Sequence, residues 1–303
     1  MRVPNQQLKR KRRWRRDFVV CCGNYKLSLG KRTVVMGIIN CTPDSFSKDG
    51  CLSPSYENRD NFVHKAERRA LKFIKEGADI IDIGGESSRP GASRITAREE
   101  AERVIPVIKS LVKKIRVPIS VDTYKPLVAK KALDVGACII NNIMGTRLDD
   151  RLLSMVRDYG AAIILMHIRG TPSTMQKNIS YNNLINDIIC ELKDSINRCL
   201  DIGIDPARII IDPGIGFGKT VEDNLKIINR LEEFGKLKYP ILIGPSRKSF
   251  IGKILDKQVN KRLAGTIASV CASVVRGVHI VRVHDVRAVK EAVTIMDEVL
   301  NSE

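Results

Sequence analysis

Eight short polar clusters are the residues of this 303-residue chain best suited to chemistry, and each follows an apolar run. They are Asn40, Gly84-Gly85-Glu86, Asp122, Asn141, His167-Ile168-Arg169, Asp212, Ser246-Arg247-Lys248 and Arg282-Val283-His284-Asp285. Arg282 and His284 flank Val283, so on a strand their side chains share a face and both can reach one anion. No Cys-His or Ser-His pair ends an apolar run, so nothing in the pattern calls for an activated nucleophile.

The elements that carry these clusters are short and β-branched. Residues 33–40, 78–84, 117–122, 137–142, 161–167, 207–212, 239–244 and 278–283 read as eight strands. Stretches of 3.6-residue periodicity with Gly or Pro stops lie between them, beginning with an amphipathic helix over about 60–76 that stops at Gly77. Eight β/α alternations with polar groups at every strand end predict an α/β fold, a parallel (β/α)₈ TIM barrel with its site at the carboxyl ends of the strands. A doubly wound open sheet fits the count less well. Residues 18–30, with Gly23-Asn24 at their centre, predict a β-hairpin plugging the amino-terminal end of the barrel.

The chain carries a formal charge of +18 and is 43% hydrophobic, enough apolar material for one core. Eight basic residues against one aspartate fall within positions 1–17, which read as a short disordered leader before a single domain over 18–303. Removing residues 1–16 should then leave turnover nearly unchanged. KRKRRWRR could contact nucleic acid, with Trp14 stacking, but no folded nucleic-acid module surrounds it and such a partner is not expected. The remaining positive excess suits anionic substrates. No run reaches the roughly 18–20 apolar residues of a membrane span, and the N-terminus has charges where a signal peptide is apolar, so a cytoplasmic location is expected. The eight cysteines are scattered without a CxxC pair and read as buried hydrophobes or free thiols rather than a zinc site. GIGFG (214–218) lacks the spacing and the acidic ribose partner of a dinucleotide loop.

Eight segments in order resemble the dihydropteroate synthases, the pterin-binding barrel enzymes of folate synthesis. These are MGIINCTPDSFSKDG (36–50), DIGGESSRPGA (82–92), ISVDTYKP (119–126), IINNIMG (139–145), LMHIRGTPSTMQ (165–176), DPGIGFGKT (212–220), GPSRKSFIG (244–252) and RVHDV (282–286). The resemblance implies an alkyl-group transferase that joins 7,8-dihydropterin-6-ylmethyl diphosphate to 4-aminobenzoate and releases diphosphate. A pterin is a flat ring with a donor and acceptor edge. The resemblance gives that edge to Asp122, Asn141, Met166, Asp212 and Lys248, with the Asp212 carboxylate accepting from both the 2-amino group and N3-H. Asn40, Ser88, Arg89, Arg282 and His284 would take the diphosphate, with Asn40 also a ligand of a Mg²⁺ cofactor. Pro90, Phe217, Lys248 and Ser249 would line the 4-aminobenzoate pocket. Lys248, Arg282, His284 and Arg89 would carry the chemistry. The resemblance implies a dissociative reaction, which needs water excluded more than it needs a strong base, and the loops CTPDSFSKDGCLSPS and GESSRPGASR are suited to be lids. The Ala/Gly/Ser-rich helix over about 261–276 allows close helix packing, and the resemblance alone implies a homodimer through this region.

The chain departs from the family at Asn142 (usually Asp, near the pterin edge), Ser88 (usually Thr), Cys41 (usually aliphatic) and Lys48 (lid commonly acidic). Two rival readings remain. A methyltransferase moving a methyl group from a reduced folate to a corrinoid protein shares the strand-end Asp and Asn but has no use for Arg282-His284 or SRKS. An RNA-binding or scaffold protein on a retired barrel would not need polar groups at all eight strand ends.

Overall fold

Phe18–Cys22 (β1) and Tyr25–Leu29 (β2) pair antiparallel about Gly23-Asn24, as the turn residues require. The computed structural model describes residues 15–42, 59–87, 93–145, 147–176 and 179–302. After the hairpin come eight parallel strands: Val34–Asn40 (β3), Ile80–Gly84 (β4), Ile119–Asp122 (β5), Ile139–Asn142 (β6), Ala162–Met166 (β7), Ile209–Asp212 (β8), Leu242–Ile243 (β9) and Ile280–Val283 (β10). Their order is β8-β7-β6-β5-β4-β3-β10-β9. A parallel bridge between Ile211 and Ile241, with the Ile211 N–H donating to Pro240 O at 3.0 Å, joins the two ends into a barrel.

The helices between strands are Arg59–Lys75 (α1), Ala97–Val112 (α2), Pro126–Asp134 (α3), Asp150–Asp158 (α4), Leu184–Asp201 (α5), Val221–Asn229 (α6), Ser249–Leu255 (α7), Leu263–Val275 (α8) and Val286–Asn301 (α9). Gly77 leaves α1 with φ 94°, the left-handed exit that its sequence position predicts. Thr96 and Thr220 close capping boxes on α2 and α6 through Glu99 and Asp223.

Alternation along the strands sorts the side chains into two cores. Val35, Ile81, Ile140, Ile163, Ile211 and Val281 face the helices. Met36, Ile80, Ile139, Ile164, Ile210 and Ile280 fill the lower interior together with Val20, Cys22 and Leu29 of the hairpin, which therefore plugs the amino-terminal end. Counting on by two along the strands reaches Asn40, Asp122, Asn141, Met166, Asp212 and Arg282, so one period of two delivers six of the candidate site residues to the barrel mouth, together with Asp82.

Two expectations need correction. Arg15 and Arg16 belong to the folded body rather than to a leader ending at 17. Arg15 is 4% exposed; its Nε donates to Gly30 O (2.7 Å), its Nη1 to Val278 O (2.7 Å) and Thr33 Oγ1 (2.9 Å), and its Nη2 pairs with Asp297 (3.0 Å). Arg16 O lies 3.0 Å from His279 Nε2. The seventh barrel strand shrinks from 239–244 to two residues because Pro240 has no N–H for a ladder.

Candidate active site

Asp82, fully buried on β4, organises the mouth. Its Oδ2 accepts from Arg282 Nε on β10 at 2.6 Å and from Asn141 Nδ2 on β6 at 3.3 Å. Arg282 Nη2 also pairs with Asp122 Oδ2 of β5 at 2.6 Å. Burial alone would weaken Arg282 as a cation, yet Asp82 and Asp122 hold its pKa above the usual arginine range. Asp122 is pushed up by burial, with Arg282 opposing and Asp82 and Glu100 reinforcing.

Across the mouth, Asp212 ends β8 at 5% exposure. Burial raises its carboxyl to about 6, restrained by the Gly214 N–H and by the Lys248, Lys219 and Arg282 cations. Its Oδ1 accepts from Gly214 N at 2.7 Å. Gly214 has φ 73°, and a Cβ there would stand 1.9 Å from His167 O, so only glycine lets this loop pass β7. Lys248 precedes α7 and its ammonium lies 3.9 Å from the centre of the Phe217 ring. Burial, with Arg282 adding repulsion, lowers Lys248 to about 8. Phe217 packs with Ile143, Met166, Ile168 and Met175 in a separate apolar cluster at the mouth, beside Tyr124. A flat ring with a polar edge could thus meet apolar faces and a cation above a floor of carboxylates and amides.

The side of the mouth expected to take the diphosphate is built at β9 and β10. Ser246 Oγ accepts the His284 N–H at 3.2 Å and stands 3.0 Å from Nδ1, an arrangement that suits a neutral imidazole with its proton on Nε2. Burial, and then the cations Arg247, Arg282, Arg69 and Lys248, hold His284 well below its usual pKa. Arg247 is paired with Asp285, and Arg282 with Asp82 and Asp122, so part of this positive field is already neutralised and the remainder suits an anion. On the β4–β6 side of the mouth, a cleft of about 420 Å³, open solvent included, lies between Glu86, Arg94, Asp122, Tyr124 and Ile143.

The structure therefore brings Asp122, Asn141, Met166, Asp212, Phe217, Lys248 and Arg282 together, with His284 two residues beyond Arg282. Arg282 differs from the expectation of a diphosphate ligand in that two of its nitrogens already serve carboxylates. Asn142 is corrected too: its side chain faces away from that of Asn141, and its Oδ1 accepts from Met144 N at 2.8 Å, forming a turn behind the site. Ser249 is exposed at the start of α7. Ser88, Arg89, Pro90 and Lys48 lie outside the described residues. Sequence reasoning missed Asp82, although a lone carboxylate in the apolar run ADIIDIG was a signal, and it gave Ser246 no role of its own.

Among the described residues no three His, Cys, Asp or Glu side chains gather as a metal site. Asn40, half-buried at the end of β3 and paired in register with Gly84, is a single neutral oxygen donor at the mouth. One such oxygen fits a hard cation only if substrate oxygens and water complete the shell.

The barrel with this floor of buried carboxylates defines a class. The model of the family described as pterin binding enzyme matches residues 36–284, and the chain belongs to that family. Its relatives include the dihydropteroate synthase of Bacillus subtilis, 46% identical over 275 residues that cover 91% of each chain. Solved structures similar to it include Yersinia pestis dihydropteroate synthase with a sulfonamide drug, 36% identical at a TM-score of 0.86, covering 94% of this chain and 100% of that one. Burkholderia cenocepacia dihydropteroate synthase complexed with 7,8-dihydropteroate is 38% identical at a TM-score of 0.82, covering 94% and 97%. Among the described residues, no helix is long and apolar enough to cross a membrane.

Proposed function

We propose that this enzyme condenses 7,8-dihydropterin-6-ylmethyl diphosphate with 4-aminobenzoate to give 7,8-dihydropteroate and diphosphate, in folate synthesis. The observation that carries this reading is Asp212. It is a carboxylate buried to 5% exposure at the mouth, with one oxygen braced by Gly214 and three cations sharing its field. Such a group recognises two adjacent N–H donors on a ring edge.

Asp122 and Asn141 complete that edge, while Phe217 and Lys248 form the wall where the aryl amine enters. The bond from the pterin methylene carbon to the diphosphate oxygen breaks, and a bond from that carbon to the amine nitrogen forms. The amine proton leaves to solvent and the electron pair goes with diphosphate. The His284 Nε2–H and the Arg282 guanidinium would stabilise the charge growing on the leaving group. Ser88 and Arg89 are assigned to the same anion, and Pro90 and Ser249 to the aminobenzoate side, on family resemblance. A Mg²⁺ ion held at Asn40 would neutralise diphosphate charge. Exposed Leu263 and Val275 on α8, with Ile295 and Val299 on α9, support a homodimer through this region.

The test is product formation followed by mass, alongside diphosphate release, with each substrate alone and with both. Dihydropteroate only when both are present, lost in EDTA and restored by Mg²⁺, is the expected result. No product with both substrates would sink the reading, and full activity in EDTA would remove the Mg²⁺ assignment alone.

A further inference from the structure

Five side-chain hydrogen bonds tie down the backbone of 214–218, one of them from Gln176 Nε2 to Gly216 O at 3.3 Å. Gly214 N–H is held by Asp212 Oδ1 at 2.7 Å and Gly216 N–H by Asn224 Oδ1 at 2.6 Å. Two donors then hold consecutive carbonyls: Lys219 Nζ reaches Phe217 O at 2.9 Å, and the Tyr181 hydroxyl donates to Gly218 O at 2.8 Å. Gly214, Gly216 and Gly218 all have positive φ, so the chain itself gives this loop little stiffness and the tethers decide its course.

Lys219 is 3% exposed, and burial pulls its amine down to about 7. An amine at such a place is a standing penalty where Met would fill the same space. It is retained with specific partners. Besides Phe217 O, Nζ lies 3.0 Å from His167 Nδ1, whose Nε2 is 3.1 Å from Glu191 on α5. Glu191 pairs with Arg169 at 2.7 Å, and the Arg169 guanidinium lies 4.0 Å over the Tyr181 ring. Both carbonyl donors therefore belong to one network rooted on β7 and α5, outside the substrate cleft. The ring they locate is the one facing Lys248.

We propose that Lys219 and Tyr181 are positioning residues for the aminobenzoate side of the site, fixing the Phe217 ring by holding the carbonyls of Phe217 and Gly218. The inference rests on the functional reading above. It is deepened in one respect: selectivity between the two substrates depends on residues that touch neither.

Steady-state kinetics on full-length wild type, Lys219→Met and Tyr181→Phe provide the test. K219M is expected to raise the KM for 4-aminobenzoate by about tenfold or more and, because it also removes one of the cations near Asp212, the KM for the pterin diphosphate by a clearly smaller factor, while Y181F, which leaves that cation in place, raises the KM for 4-aminobenzoate by about threefold with the pterin KM unchanged. A general loss of packing would move both constants together. Parallel changes, or none, in folded K219M overturn the inference while leaving the functional reading intact. If K219M does not fold, Y181F decides in the same way. A wild type without turnover overturns the reading and this inference with it.

Discussion

Arg282 of β10 reaches across β3 to Asp82 of β4, with Nε 2.6 Å from Oδ2, and the same carboxylate oxygen takes Asn141 from the far side of β5. Asp82, itself fully buried, thus spaces two groups that the proposed function assigns to the substrate. Asp82→Asn leaves Arg282 with Asp122 alone and places an amide where two donors converge. Breaking a buried pair costs about 3 to 5 kcal/mol, and Asp122 should spare part of that. We expect a lower urea midpoint at unchanged m-value and about tenfold weaker pterin binding by calorimetry. An unchanged midpoint would show that Asp82 braces nothing.

Asp212→Asn keeps the size of the side chain but turns one acceptor into a donor facing a ring donor. A hydrogen bond to a charged group contributes roughly 1.5 to 3 kcal/mol, and an unpaired buried donor adds about 1 to 3. Together these come to about 2.5 to 6 kcal/mol, so pterin affinity should fall by about sixtyfold or more. Titration calorimetry measures it and thermal melting checks the barrel. Wild-type affinity in a folded mutant would make Asp212 a brace for Gly214 and move the pterin elsewhere.

The acid and base limits follow from the same side chains. On the proposed function Asp212 accepts ring donors as a carboxylate and Lys248 serves as a cation; burial pushes the Asp212 carboxyl up to about 6 and the Lys248 amine down to about 8. Pterin affinity should therefore fall below about pH 6 and above about pH 8, with Asp122, pushed up to about 7 by burial, titrating between them. The free enzyme moves oppositely. Because Asp212 is raised above its unfolded value, the folded state binds the extra proton, and its contribution to stability declines as pH rises toward about 6. Lys248 is lowered, so its contribution improves with pH above about 8. Calorimetry and denaturant titration across pH 5 to 9 separate the two trends. Affinity still rising below about pH 6 in acid would remove Asp212 as the ionised acceptor.

Strand ends were legible because one period of two carries both the apolar interior and its polar crown, so Asp122, Asn141, Asp212 and Arg282 stand out as polar ends of apolar runs. Asn142 misled for want of that same count, since a neighbour in sequence faces the opposite way and caps Met144 instead. The network behind Phe217 was invisible to local pattern. Lys219 lies 52 residues from His167, and a lysine beside a glycine-rich loop reads as a solvated charge until the fold buries it.

Arg15 is the sharpest case of a residue hidden by its surroundings in sequence, since a run of arginines and lysines reads as solvated. Its partners Val278 and Asp297 lie 263 and 282 residues away, and together with Gly30 and Thr33 they absorb its guanidinium donors. Asp297 in turn accepts from Thr33 N at 2.5 Å and Thr33 Oγ1 at 2.8 Å, so the arginine neutralises a carboxylate that fastens α9 to the start of β3. Arg15→Met would leave that carboxylate buried at 5% exposure without its cation. Loss of about 3 to 5 kcal/mol is expected, and at about 2 to 4 °C per kcal/mol the melting temperature should drop by at least about 6 °C. Deleting residues 1–16 removes the same group and should melt at least as early. Turnover at low temperature should stay close to wild type in both, because the latch lies at the end of the barrel opposite the site. Melting curves and steady-state rates on the two variants are the measurements. A melting temperature within about a degree of wild type would return Arg15 to a solvated leader.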